Sequence, residues 1–175
     1  MLQQTQVDRV IGFYMRFMER FPTVFDLAKV SWEDFLPYFR GLGYYRRGQN
    51  MLKAATVLVE QYDGKFPSDA DELQKLPGIG RYTANAIASF AFGLDVPVKD
   101  TNVSRVLQRF FNIADDDVWK KMGDLVPMKN SSNFNQGVME LGALICGDAL
   151  TKCNFWQLSV QCHYAQTDSL PKFVV

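Results

Sequence analysis

Residues 76–93 read LPGIGRYTANAIASFAFG. A short capped helix from Ser68 to about Lys75 precedes them, Leu-Pro-Gly-Ile-Gly makes a tight connection, and a second helix opens at Arg81. Gly78 and Gly80 admit positive φ and leave no side chain in the way. Their N–H groups, together with the free N–H groups that open the next helix, then point at one spot, and such a spot suits an anion. Ile79 is expected to plug the turn into the core. Geometry alone leaves two readings: a corner between helices whose glycines only turn the chain, and a hairpin that holds a phosphate.

The surroundings of this hairpin are helical throughout. Apolar residues recur with a 3.6-residue period over 3–20, at positions 7, 10, 11, 14, 17 and 18. Thr23 and Ser31 read as N-caps of the next two helices, the second carrying Trp32, Phe35, Leu36 and Phe39 inward. Further helices are expected over 46–62, 81–93, 102–111, 116–126 and 134–146. Only DVPVK, residues 95–99, has any strand character, so the fold class is all-α with nine or ten helices. With 47% apolar residues, 14 Phe, 7 Tyr and 3 Trp, the 175-residue chain can build a real core. Charge is balanced, 19 basic against 19 acidic, so a nucleic-acid surface would have to arise from local placement. The apolar runs are too short for a bilayer, and the first ten residues lack the pattern of a signal peptide. Three cysteines grouped near one end do not form a secreted disulfide framework. An intracellular protein with no membrane role is expected.

Asp100 follows the VPVK run, twenty residues after Gly80, and precedes a helix with Val103, Val106, Leu107 and Phe110 inward. It can simply cap that helix, since aspartate suits a helix N-terminus. A carboxylate so placed can also stabilise positive charge that develops on a sugar when its bond to a base breaks.

The form L-P-G-apolar-G-basic at residues 76–81 resembles the helix-hairpin-helix motif that grips a DNA phosphate without reading sequence. The ordered set MLQQTQV, FPTVFDLA, GLGYYRRGQN, GKFP, LPGIGRYTANAI and NFNQGVMELGALIC resembles the catalytic core of MutY-type adenine DNA glycosylases, from Met1 to about Cys162. That resemblance implies a helix-hairpin-helix glycosylase core of two helical lobes with a DNA-binding cleft between them. One lobe would span about 15–126 with the hairpin at 76–81. The other would join 1–14 to 127–175 and carry the cysteine loop 146–162. It implies a monomer that binds double-stranded DNA containing an adenine mismatch, flips the adenine opposite 8-oxoguanine or guanine, and hydrolyses its N-glycosidic bond.

Residue by residue, the resemblance gives Gln4 the position that wedges into the duplex, with Gln3 and Thr5 beside it. Tyr44 is to stack near the 8-oxoguanine. Arg46 and Arg47 are to contact phosphates, as are Leu76, Gly78, Gly80 and Arg81 of the hairpin. Asp100 is the oxocarbenium-stabilising carboxylate and Asn102 its polar partner. Tyr82 occupies an active-site position where endonuclease III-type enzymes carry a lysine that forms a Schiff base. A tyrosine cannot, so a monofunctional glycosylase is implied.

Two departures accompany the resemblance. The family's catalytic glutamate lies two residues before the Met-Leu-Gln-Gln-Thr stretch, which here begins at residue 1, so activity without that general acid is expected to fall by ~10²–10⁴. Nothing resembles the C-terminal domain that reads 8-oxoguanine. The family's C-x6-C-x2-C-x5-C pattern, which holds a [4Fe–4S] cluster, is met by Cys146, Cys153 and Cys162 at its first, second and fourth positions. Trp156 stands at the third, and an indole offers iron no suitable lone pair. Two readings remain open: a three-thiolate cluster with an outside ligand such as Asp148 or His163, and a metal-free segment plugged by Trp156 and Phe155. For function the alternatives are a thymine or uracil mismatch glycosylase and a mismatch-binding remnant without turnover.

Overall fold

A computed structural model of the chain describes residues 1–3, 5–149 and 151–167. Among these, ten α-helices and two 3-10 turns carry the regular structure, and the only β-type pairing is an isolated antiparallel bridge between Cys146 and Thr151. No helix among the described residues is long and apolar enough to cross a membrane. The chain divides into two units, residues 1–80 and 81–175.

The first unit holds α1 (Val7–Arg20), α2 (Val24–Ala28), α3 (Trp32–Phe39), α4 (Arg46–Tyr62) and α5 (Ala70–Gln74). The caps named from sequence are in place. Thr23 and Asp26 form a reciprocal capping box, and Ser31 Oγ accepts from the Asp34 N–H. At α5 the cap is Asp69, not Ser68: its carboxylate accepts from the Asp71 and Glu72 N–H groups. An ionised oxygen outcompetes a hydroxyl for two adjacent donors. Helix α1 starts at Val7 rather than residue 3, because the backbone before it is drawn aside by tertiary bonds described below. Of its apolar residues Val10 and Phe17 are buried, while Val7, Ile11, Tyr14 and Met18 are exposed. The core of this unit is aromatic. Phe35 has no exposed surface, and its ring centre lies 5.6–6.1 Å from those of Phe17, Phe21, Trp32 and Phe39.

The second unit holds α6 (Arg81–Phe90), α7 (Thr101–Phe111), α8 (Asp115–Leu125), α9 (Ser131–Leu144) and α10 (His163–Gln166), with 3-10 turns at Cys153–Phe155 and Gln157–Gln161. Its core gathers Val103, Val106 and Leu107 of α7 with Val118 and Met122 of α8. Helix α7 is the centre, packing on both α8 and α9. The DVPVK run is irregular, not a strand, because its backbone groups are bonded to side chains instead of to a neighbouring strand.

Phe35→Ala opens a hole in the middle of four rings, and its cost is expected at about 3–5 kcal/mol. Chemical denaturation followed by circular dichroism checks this. A cost below 1 kcal/mol would mean that the ring cluster is not the core of the first unit.

Candidate functional site

The hairpin is asymmetric in a way its two glycines do not reveal. Gly78 adopts φ +80°, and a Cβ there would lie 2.7 Å from the Asn50 Cβ. It is glycine for two steric reasons at once. Gly80 lies outside the left-handed region, and a Cβ there would meet nothing within 4 Å. Its value is the open space in front of it. Leu76, with 2% of its surface exposed, is the residue that anchors the turn; Ile79 is only half-buried. The Ile79 N–H bonds the Leu76 carbonyl at 3.1 Å and closes the turn. Arg81 opens α6 with its guanidinium 4.0 Å from the centre of the Trp119 ring, a close cation–π contact that fixes its direction.

In the first unit, Thr5, Gln6, Arg9, Gly41, Leu42, Gly43 and Tyr44 line one open groove. Gly41, Gly43 and Tyr44 all have positive φ (105°, 73° and 46°). A tyrosine in that region is strained and persists only where its surroundings hold it. Tyr44 is 66% exposed, and its aromatic side chain stands open to solvent. Arg47 does the holding. One terminal nitrogen donates to the carbonyls of Met1 (2.7 Å) and Gln3; the other donates to those of Leu42 (3.0 Å) and Gly43 (3.2 Å). Burial, the larger cause, pulls its pKa below the ordinary arginine value, partly offset by Tyr44. This changes the reading of the pair: Arg46 is exposed, whereas Arg47 clasps the 1–3 segment to the 41–44 turn and has its terminal donors committed. Arg9 also bonds the Gly41 carbonyl. Arg9 and Gln6 escaped the sequence reading, because they come to this groove only through the return of the 41–44 turn to the start of α1. Gln4 lies outside the described residues, and Gln3 meets Arg47 through its carbonyl.

In the second unit, the loop before Asp100 is nailed down by side-chain amides. Asn135, fully buried on α9, donates to Ser89 Oγ and the Val96 carbonyl (both 2.9 Å) and accepts from the Val98 N–H at 3.2 Å. Asn85 donates to the Pro97 carbonyl at 2.8 Å, and Ser131 to that of Leu94 at 2.9 Å. Asp100 is thereby delivered to the start of α7, where it caps the helix and keeps its second oxygen in a side-chain hydrogen bond. Its Oδ1 accepts from the Val103 N–H at 2.7 Å, which caps the helix, and its Oδ2 accepts from Asn102 Nδ2 at 3.0 Å. Asn102 Oδ1 in turn accepts from Arg105 at 2.7 Å, which fixes the amide's orientation. Arg105 also bonds the carbonyls of Gly142 (2.7 Å) and Cys146 (2.6 Å). Gly142 lets α9 come this close, for a Cβ there would sit 2.6 Å from Asn102 Cβ. Partial burial, and then the charge of Asp100, raise the Tyr82 phenol above its ordinary pKa. Tyr82 therefore stays neutral at physiological pH and adds no second anion.

All three cysteines are free; Cys146 and Cys162 are buried and Cys153 is half-buried. Among the described residues no three His, Cys, Asp or Glu side chains form a group able to hold a metal ion.

An all-helical chain whose glycine-turned hairpin is followed by a fixed aspartate defines a class of DNA-repair fold. Residues 1–127 match the model of the HhH-GPD superfamily base excision DNA repair protein, and the chain belongs to that superfamily. It is 40% identical over 168 residues to the adenine DNA glycosylase of Buchnera aphidicola subsp. Baizongia pistaciae, covering 93% of this chain and 48% of the relative. To the human adenine DNA glycosylase it is 42% identical over 175 residues, covering 95% of this chain and 32% of the relative. The chain thus spans about half, or less, of the curated relatives it matches. Among solved structures it resembles a thermostable thymine-DNA glycosylase (TM-score 0.88, 27% identity, 94% of this chain and 79% of that one). It also resembles endonuclease III in a trapped covalent intermediate with DNA (TM-score 0.83, 30% identity, 93% of this chain and 78% of that one).

The hairpin yields a paired prediction. Gly78→Ala must adopt a left-handed φ and push against Asn50, so a loss of about 1–3 kcal/mol is expected. Gly80→Ala meets open space and is expected to change stability by less than about 0.5 kcal/mol while weakening DNA binding. Denaturation curves and a fluorescence-anisotropy titration with duplex DNA read the two separately. Equal stability losses would mean that both glycines serve only the turn.

Proposed function

We propose that this chain is the glycosylase core of an enzyme that removes adenine mispaired with 8-oxoguanine or guanine from double-stranded DNA. The observation that carries the reading is the Asp100 carboxylate, held from both sides and accompanied by a neutral Tyr82 instead of an amine. Likeness to adenine DNA glycosylases over more than nine-tenths of the chain supports the choice of base.

The chemistry follows from what each group can do. The target nucleotide must leave the stack, since a paired base hides its anomeric carbon. The hairpin amides around Gly78 and Gly80, with Arg46 and Arg81, hold phosphates and set position without reading sequence. The exposed Tyr44 offers an aromatic face on which a base can stack. As the glycosidic bond lengthens, positive charge grows on the sugar, and Asp100 meets it as an already oriented anion. Asn102 is a positioning residue that keeps Oδ2 from turning away. Tyr82 cannot form an imine with the opened sugar, so the reaction ends at an abasic site. Adenine leaves poorly without a proton.

Labelled duplexes carrying A·8-oxoG, A·G, T·G and U·G, treated with alkali after incubation, test the proposal. Product from the adenine pairs alone is expected. Asp100→Asn should lower that rate by about 10²–10³ while leaving duplex affinity in place. Product from T·G or U·G would point to the sister specificity, and binding without any product would point to a mismatch-binding remnant.

A further inference from the structure

The superfamily's cysteine pattern asks for four thiolates around iron, and the residues present do not fit that group. The third ligand position is Trp156, whose indole nitrogen donates a hydrogen bond but offers no lone pair. The remaining thiols are otherwise engaged or apart. Cys146 Sγ lies 3.5 Å from Arg109 Nη1, and the Cys162 thiol donates to the Arg109 carbonyl at 3.7 Å. Among the described residues, the three thiols form no group able to hold a metal ion. Asp148 and His163, the outside ligands considered from sequence, are exposed.

What the segment has instead is a set of contacts from two adjacent residues of α7. Arg109 holds both of its ends. At the start, its guanidinium donates to the carbonyls of Gly147 (2.7 Å) and Asp148 (3.4 Å). At the finish, the Cys162 thiol donates to the Arg109 carbonyl, and just beyond it the same guanidinium lies 4.8 Å from the centre of the Tyr164 ring on α10. Phe110 holds the middle, its ring centre 5.2 Å from that of Trp156. Phe110 is itself braced edge-on by Phe111 at 4.7 Å, and Phe111 is covered by Lys121 Nζ at 4.2 Å. Phe155 takes no part in the plug, being 81% exposed. Beginning, middle and end of a seventeen-residue loop are thus fastened to one helical turn, the task a cluster performs by tying distant thiolates together.

We propose that residues 146–162 form a metal-free clamp, in which Arg109 and the Phe110–Trp156 stack replace an iron–sulfur cluster as the cross-link of the loop. The clamp stands apart from the glycosylase reading, because its test reads iron and stability and not turnover. The full chain is purified anaerobically, then incubated with ferrous iron and sulfide. Sub-stoichiometric iron and no visible charge-transfer absorption are expected before and after. Cys153→Ser should melt with the parent, whereas Arg109→Gln and Trp156→Ala should each lower the melting midpoint by about 5–10 °C. Should Trp156→Ala fail to fold, Trp156→Phe, which keeps a ring against Phe110, is expected within about 4 °C of the parent. Stoichiometric iron would overturn the proposal. So would a Cys153→Ser midpoint as low as that of Arg109→Gln, or an Arg109→Gln midpoint unchanged from the parent.

Discussion

One buried amide sets the geometry on which the candidate site depends. Asn135 lies wholly inside the second unit and spends both its donors and its acceptor on groups that would otherwise be stranded: the Ser89 hydroxyl, the Val96 carbonyl and the Val98 N–H. Each such group left unpaired would cost about 1–3 kcal/mol. The loop at 94–99 can therefore be irregular and still be fixed, which a strand of five residues without a neighbour could not be. Asp100 inherits that rigidity. In the role proposed for it, a carboxylate gains from having its reorganisation completed by folding, since one free to swing away meets a developing charge poorly.

The same economy governs the basic residues. A chain with 19 basic and 19 acidic side chains has no large positive field to spend, and several arginines are turned inward. Arg47 binds four carbonyls, Arg105 two carbonyls and an amide oxygen, and Arg109 two carbonyls and a thiol. Guanidinium suits this because it offers five donors in a rigid fork and loses its water more readily than an ammonium. Under the proposed function, the interaction with DNA would lean on backbone N–H groups at the hairpin and on a few outward cations such as Arg46. Binding of that kind would be weakened by salt less steeply than the grip of a strongly basic domain.

What could be read from the chain, and what could not, divides along a physical line. Helices announced themselves through a 3.6-residue period and through caps that are local, so Thr23, Ser31 and Asp100 were found where they act. Gly78 was legible because a left-handed turn leaves few alternatives. Arg46 and Arg47 were not separable, since they are the same residue type side by side, and only the return of residues 1–3 to the 41–44 turn decides which one faces inward. Asn135 was overlooked for a related reason. An asparagine on a helix looks like a surface residue until the loop it satisfies is in place. Ile79 looked like the plug of the hairpin, yet Leu76 fills that place, because the preceding helix, not the turn, sets which side chain points into the core. Trp156 and Phe155 were expected to plug the loop together, but only Trp156 meets a ring, that of Phe110, while Phe155 is exposed.

The two halves of the second unit's polar architecture meet in α7, and this bears on what loss of a cluster ligand would do to a glycosylase. A continuous path of hydrogen bonds runs from Asp100 through Asn102 to Arg105 and on to the carbonyl of Cys146. At its far end Arg105 grips backbone, not sulfur, and it grips the last turn of α9 through Gly142 before the cysteine loop begins. The orientation of Asp100 thus depends on α9 lying against α7, a contact maintained by the packing of Val103, Val106 and Leu107 and by the missing side chain at Gly142. One turn further along α7, Arg109 and Phe110 carry the loop itself. Carboxylate and loop share a helix but are fastened by different residues of it. A chain that exchanged a thiolate for an indole could therefore keep its carboxylate in place, provided Arg109 and Trp156 hold the loop close enough that α9 stays seated.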